Sequence, residues 1–163
     1  MQTKKLTFSA LLVAIGVMAG NIIYIPVGAA KCFPVQHTIN VISGVLLGPW
    51  YAVANAFLVS LLRNMLGTGS PLAFPGSMIG AFLAGALYLK LGKKSWAVLG
   101  EIFGTGILGG LLAFPIAKLI LGKDVAAFYF VIPFLISTIG GSIIGYSILK
   151  VMERNNVLKK LNA

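Results

Sequence analysis

The strongest constraint on this chain is a repeated one. Long apolar runs, most of them near the length of a bilayer crossing, alternate from Leu6 to Met152 with short gaps, most of which carry lysine. A helix needs about 20 apolar residues to cross a hydrocarbon core of roughly 30 Å. The stretches 6–25, 74–91, 96–121 and 128–152 each meet that as one crossing. Of the whole chain 58% is hydrophobic and 10% charged, against roughly 25% charged in globular domains. The sequence therefore reads as an all-α integral membrane protein, a single membrane domain over residues 1–163.

The stretch 34–66 is too long for one simple span and is cut by Gly48-Pro49, a pair that breaks or kinks helices. Charge decides how to count it. With two helices there, the chain has six spans and nine basic residues fall on the cytoplasmic side: Lys4, Lys5, Lys90, Lys93, Lys94, Lys150, Arg154, Lys159 and Lys160. Four, Lys31, Arg63, Lys118 and Lys123, fall outside. With one helix the balance becomes five inside and eight outside. The positive-inside rule favours six helices with both termini cytoplasmic. The second, running from Pro34 to Leu47, reaches only about 21 Å at 1.5 Å per residue. The loop from Tyr24 to Phe33 is then expected to dip toward the membrane, and non-helical backbone at that depth must be shielded by protein or line a cavity.

A net charge of +10 would suggest nucleic acid in a soluble protein. In this chain the basic residues flank apolar runs, as expected beside anionic lipid. Cys32 is the only cysteine, which excludes an internal disulfide, and one histidine with three scattered acidic residues argues against a metal cage. Cys32 is expected to be inert packing. Lys4, Lys5 and the apolar run behind them have the outline of a signal peptide. The expectation is instead a first span, since further apolar stretches follow rather than a soluble domain.

Small side chains recur at four-residue spacing: Ala10 and Ala14, Gly16 and Gly20, Ala52 and Ala56, Gly76, Gly80 and Ala84, Gly100 and Gly104, Gly141 and Gly145. Such stripes let helix backbones approach closely where lipid supplies no hydrophobic drive. All but Ala10 and Ala14 are expected to pack within the chain.

The polar residues that are not basic flanks collect at the outer ends of the six spans. Asn21 and Tyr24 close the first; Gln36, His37 and Asn40 open the second; Arg63 and Asn64 end the third; Ser70 follows, and Tyr129 opens the sixth. Gln36, His37 and Asn40 share a helix face, and a histidine with two amides offers donors and acceptors suited to a small, uncharged or weakly basic ligand. Phe33, Phe74, Phe114, Phe130 and Phe134 lie at similar depth as candidate apolar walls. Arg63 is expected to snorkel to the surface. Glu101 is the one acidic group within a span, and a structural or subunit-contact role, paired with a lysine, is favoured over a proton relay because no partner lies at its assigned depth. No nucleophile motif, phosphate loop or paired carboxylate points to an enzyme.

These features resemble the substrate-binding S components of energy-coupling factor (ECF) transporters, in particular the ThiW type. The resemblance rests on PVQHTINVISGVLLGPWYAVANAFLVSLLRNMLGTGSPLAFPGSMIGAF, residues 34–82, with the LLGP turn at Leu46 to Pro49, and on SALLVA, residues 9–14, which is similar to the family's AxxxA element. It implies a prokaryotic plasma-membrane protein that captures a thiamin precursor, hydroxyethylthiazole, in an outward pocket. It also implies that Ala10 and Ala14 dock on a membrane T component and that two ATP-binding subunits supply energy, with no cofactor in this chain. Gln36, His37, Asn40 and Asn64 would hydrogen-bond the ligand, with Tyr24 or Phe74 on the thiazole face and Tyr129 nearby. An S component for another vitamin, a proton-coupled secondary transporter working through Glu101, and a non-transporting scaffold are the alternatives.

Overall fold

A computed structural model describes residues 2–27 and 30–155. Six helices build it: α1 Gln2–Ile22, α2 Pro34–Leu47, α3 Pro49–Met65, α4 Ala73–Leu91, α5 Lys94–Leu119 and α6 Val131–Arg154. Between α1 and α2, where an irregular dipping loop was expected, two short antiparallel strands form a hairpin. They are β1 Ile25–Val27 and β2 Ala30–Cys32, with Ile25 opposite Cys32. The spans expected at 6–25, 96–121 and 128–152 shift by a few residues, because β1 claims Ile25 and turns claim Leu121 and Phe128 to Phe130.

The split of 34–66 is made by Gly48, whose φ of +89° only glycine adopts freely. A proline opens the helix on either side of it, where its missing N–H costs nothing. Gly92, at φ +70°, likewise closes α4. Midway along α5 the winding widens into a π-helix at Ile102–Gly109, a form that concentrates at functional sites.

The bundle is polar and small inside, large and apolar outside. Asn40, Asn55, Ser43 and Glu101 are fully buried, whereas Leu6, Met18, Leu119, Ile132 and Ile143 are exposed. Lipid favours that distribution, since its tails are as apolar as leucine and helices must be held by close packing and interhelical hydrogen bonds. Four helices, α1, α4, α5 and α6, are long and apolar enough to cross a membrane. The other two are shorter, and α2 is enclosed: eleven of its fourteen residues are buried, and it touches all five other helices. Surrounded by protein, it needs neither the length nor the uniform apolarity of a lipid-facing span.

The glycine stripes account for the close approaches. A Cβ on Gly76 would lie 3.0 Å from the Cα of Gly109, and one on Gly104 2.6 Å from the Cα of Gly80, so α4 and α5 meet backbone on backbone. A Cβ on Gly141 would lie 2.1 Å from the Pro34 carbonyl, where α6 crosses α2. Ala52 and Ala56 are fully buried. Ala10 and Ala14 differ as expected and face outward. The other face of α1 is tied in: Ser9 donates to Asn55 Oδ1 of α3, and Asn55 Nδ2 donates to Ser43 Oγ of α2 at 3.0 Å. That packing makes α1 a member of the bundle. At the end of the bundle that holds the N-terminus of α1 and the C-terminus of α6, Lys94 pairs with Glu153. Lys159 and Lys160 lie outside the described residues.

Candidate functional site

At the opposite end, beneath the hairpin, lies a cavity of about 570 Å³. Its walls come from the β-hairpin segment, α2, α3, α4, the α3–α4 and α5–α6 loops, and the start of α6. Phe33, Tyr24, Tyr129, Phe130 and Phe134 give it aromatic walls, while Gln36, Ser60, Arg63, Asn64, Ser70 and Lys123 supply polar groups. Tyr129 and Phe130 stand edge to face at 5.1 Å, and Phe130 packs on Phe134 at 6.3 Å. Below it a second cavity of about 70 Å³ is lined by Cys32, His37, Ser77, Thr105, Pro133 and Ser137. Phe33, Gln36, Ala73 and Phe134 border both.

Arg63 decides the character of the upper cavity. It is only 2% exposed, so the expected snorkelling is overturned. Its guanidinium stacks on Phe33, 4.0 Å from the ring centre. Nη1 donates to Gln36 Oε1 at 2.9 Å and Nη2 to the Thr68 carbonyl at 3.1 Å. The Arg63 carbonyl in turn accepts from the backbone N–H groups of Thr68 and Gly69, both at 2.9 Å. One residue thus pins the α3–α4 loop over the cavity. It points inward because Gly20 on α1 leaves room: a Cβ there would lie 3.3 Å from Arg63 Nε.

From Arg63 a buried polar chain runs down the bundle. Gln36 Nε2 donates to Ser60 Oγ at 2.8 Å and Ser77 Oγ at 2.9 Å, and Asn40 Nδ2 donates to Ser77 Oγ at 3.0 Å and Glu101 Oε1 at 3.0 Å. Glu101 Oε1 also accepts from Thr105 Oγ1 at 2.8 Å and bonds His37 Nδ1 at 2.9 Å. Its other oxygen, Oε2, is buried without a partner, as is Asn40 Oδ1. Among the described residues no lysine is paired with Glu101, and its carboxylate is fully buried within the chain, offering no surface for a subunit contact. The expectation that no histidine lay at its depth is corrected. Asn40 is midway along a helix of fourteen residues, about 10 Å from its far end. Glu101 is seven residues into α5, also about 10 Å from that end.

The expected site residues therefore divide. Tyr24, Gln36, Asn64 and Tyr129 line the upper cavity. Asn64 is partly engaged, donating through Nδ2 to the Ser60 carbonyl at 2.7 Å. His37 borders the lower cavity, and Asn40 lines neither. Phe74 also lines neither, since its ring packs 5.7 Å from Phe57 on the flank of the bundle. Phe114 stands apart under Lys118. The side chains of Asn21 and Lys31 lie outside the described set. Residues not foreseen are Ser60, Ser77, Thr105 and Lys123. The i, i+4 pair Glu101 and Thr105 was a readable signal, because it puts a hydroxyl beside the carboxylate on one helix face. Cys32 is packing as expected: its thiol reaches the Pro133 carbonyl at 3.1 Å, and burial pushes its pKa up.

The family of thiamine-precursor transporter proteins, ThiW, matches residues 6–155, a range that takes in all six helices and both cavities. The chain belongs to the ThiW family. No curated protein and no solved structure matches it. Membership of a transporter family agrees with a site made of aromatic walls and hydrogen-bonding groups, which is equipped to hold a small molecule.

Proposed function

We propose that this ThiW-family protein is the substrate-capture subunit, or S component, of an ECF-type importer. Its ligand is a small thiamin precursor of the hydroxyethylthiazole type. The observation that supports this is the upper cavity: concave, aromatic-walled, fitted with a few polar groups, and placed at the end of the bundle away from the start of α1 and the end of α6. With the termini cytoplasmic, as the lysine distribution favours, the cavity faces outward in a prokaryotic plasma membrane. Tyr24, Phe33 and Tyr129 sandwich the ring, and Gln36 and Asn64 meet its polar atoms. His37 and Asn40 act from below, holding Gln36 and Ser77 through the buried chain. Ala10 and Ala14, on the outward face of α1, dock on a membrane T component, and two ATP-binding subunits drive release inside. No cofactor is needed in this chain.

Purified protein is expected to carry a thiazole that mass spectrometry detects, and to melt at higher temperature when hydroxyethylthiazole is added. Tyr129→Ala and Asn64→Ala weaken that shift. A chain that retains no small molecule and shows no shift with any thiamin precursor would sink the reading. The buried His37–Glu101 pair favours one second reading, a proton-coupled carrier. It requires uptake without ATP-binding partners, abolished in Glu101→Gln.

A further inference from the structure

Arg63 is a buried cation without a counter-ion. Of its five N–H donors, two have protein acceptors, one on Gln36 and one on Thr68, and Nε is buried with none. Among the described residues it joins no carboxylate: the ion pairs there are His37–Glu101 and Lys94–Glu153. Burying a guanidinium is costly unless an opposite charge meets it. The C-terminal end of α3 supplies only about half an elementary charge, spread over its last turn. Phe33 stacking recovers part of the rest. The second cation on the cavity, Lys123, approaches from the α5–α6 loop, and none of the residues lining the cavity is acidic. Asp124 beside it is exposed and outside that lining. A wholly neutral ligand would leave two positive charges facing one chamber.

We propose that the missing counter-ion is part of the ligand: the upper cavity takes a thiamin precursor bearing a carboxylate or phosphate group, held between Arg63 and Lys123. This rests on the capture reading above and replaces its neutral or weakly basic ligand with an acidic one. The aromatic walls hold the ring, and the remaining N–H groups on Arg63 Nη1 and Nη2, which no protein group among the described residues accepts, donate to the anion as arginine does to carboxylate and phosphate. The cavity's volume leaves room for such a group beside a single small ring.

The test is titration calorimetry on the detergent-purified chain with hydroxyethylthiazole, its phosphate monoester and a thiazole carboxylic acid. At least one anionic ligand is expected to bind about tenfold or more tightly than the neutral alcohol. That preference shrinks at high salt and falls several-fold in Lys123→Gln. It is unchanged in Lys118→Gln, which removes a charge at the same end but off the cavity. Arg63→Gln abolishes it where the variant folds; the ligand series and Lys123→Gln decide the matter where it does not. Equal or tighter binding of the neutral alcohol overturns the proposal and leaves the capture reading standing. If no thiazole of any charge binds, the capture reading fails. Anion binding is then judged by whether inorganic phosphate raises the melting temperature more in the wild type than in Lys123→Gln. A co-purified anionic phospholipid that the phosphate monoester cannot displace would assign the anion to lipid and overturn the proposal.

Discussion

Glu101→Gln is nearly isosteric, so its effect isolates the carboxylate's charge and its second oxygen. Glu101 Oε1 meets three partners: it bonds His37 Nδ1 and accepts from Asn40 and Thr105. Two of these have other acceptors: Asn40 Nδ2 also reaches the Ser77 carbonyl and hydroxyl, and Thr105 Oγ1 reaches the Gly76 carbonyl at 3.0 Å. Only the His37 bond depends wholly on Glu101. Hydrogen bonds to a charged acceptor contribute about 1.5–3 kcal/mol against about 0.5–1.5 for neutral ones, so weakening this bond costs about 1 kcal/mol. The new amide nitrogen takes the place of Oε2, which has no partner and sits where a Cβ on Gly80 would be 2.6 Å away. A buried amide without an acceptor costs a further ~1–3 kcal/mol. The expected loss is about 2–4 kcal/mol, read by denaturant unfolding in detergent micelles with Trp50 and Trp96 as reporters. A loss near 1 kcal/mol would show that the amide has found an acceptor such as Asn40 Oδ1, itself unpartnered. No loss, within ~0.5 kcal/mol, would refute the view that this carboxylate organises the centre of the bundle.

Gly80→Ala puts a methyl 2.0 Å from Thr105 Oγ1; overpacking of that kind costs about 1–3 kcal/mol or more, and a lowered melting temperature should accompany weakened ligand binding. Phe74→Ala leaves ligand affinity unchanged in calorimetry, because its ring packs on Phe57 away from both cavities, whereas Phe33→Ala lowers affinity. Ala10→Phe with Ala14→Phe preserves ligand binding by the isolated chain and abolishes partner-dependent uptake in vesicles. Cys32, its thiol pKa pushed up by burial, stays protonated through neutral pH. Its maleimide labelling should be slow there and rise only above the ordinary thiol range, and fast labelling at pH 7 would contradict its burial.

Much of this bundle was legible because lipid imposes simple rules. The helix count came from charge asymmetry, the α2–α3 break from Gly48-Pro49, and the packing faces from glycine spacing, while Ala10 and Ala14 stay exposed. Depth is misjudged in sequence because the polar residues are placed by their distance from the outer helix ends, although α2 itself reads as only about 21 Å long. In a helix as short as α2, a residue near one end is already near the middle, so His37 and Asn40 reach Glu101 on α5. Arg63 was misread for a related reason. Its position near a helix end suggested an escape to water, and only the partner surface, a glycine on α1 and a phenylalanine before α2, turns it inward. Aromatic residues at equal depth were likewise inseparable by sequence, because which ones face the cavity depends on helix rotation.

Gln36 joins the two cavities and offers the sharpest test of how Arg63 is neutralised. Its amide is fixed by its partners: Oε1 must accept from Arg63, and Nε2 must donate to Ser60 and Ser77. Gln36→Glu conserves the shape and places a carboxylate 2.9 Å from Nη1. The Ser60 and Ser77 hydroxyls can rotate from accepting to donating, so the replacement leaves no donor stranded. The variant should fold at least as well as the wild type, since it gives the buried guanidinium the partner it lacks. With that charge met from within, an anionic ligand has less to neutralise. Its advantage over the neutral alcohol should fall by about tenfold, while aromatic stacking leaves binding of the alcohol measurable. An undiminished preference for the anion in a well-folded Gln36→Glu variant would show that the ligand's charge is read elsewhere, and that Arg63 serves only to hold the α3–α4 loop.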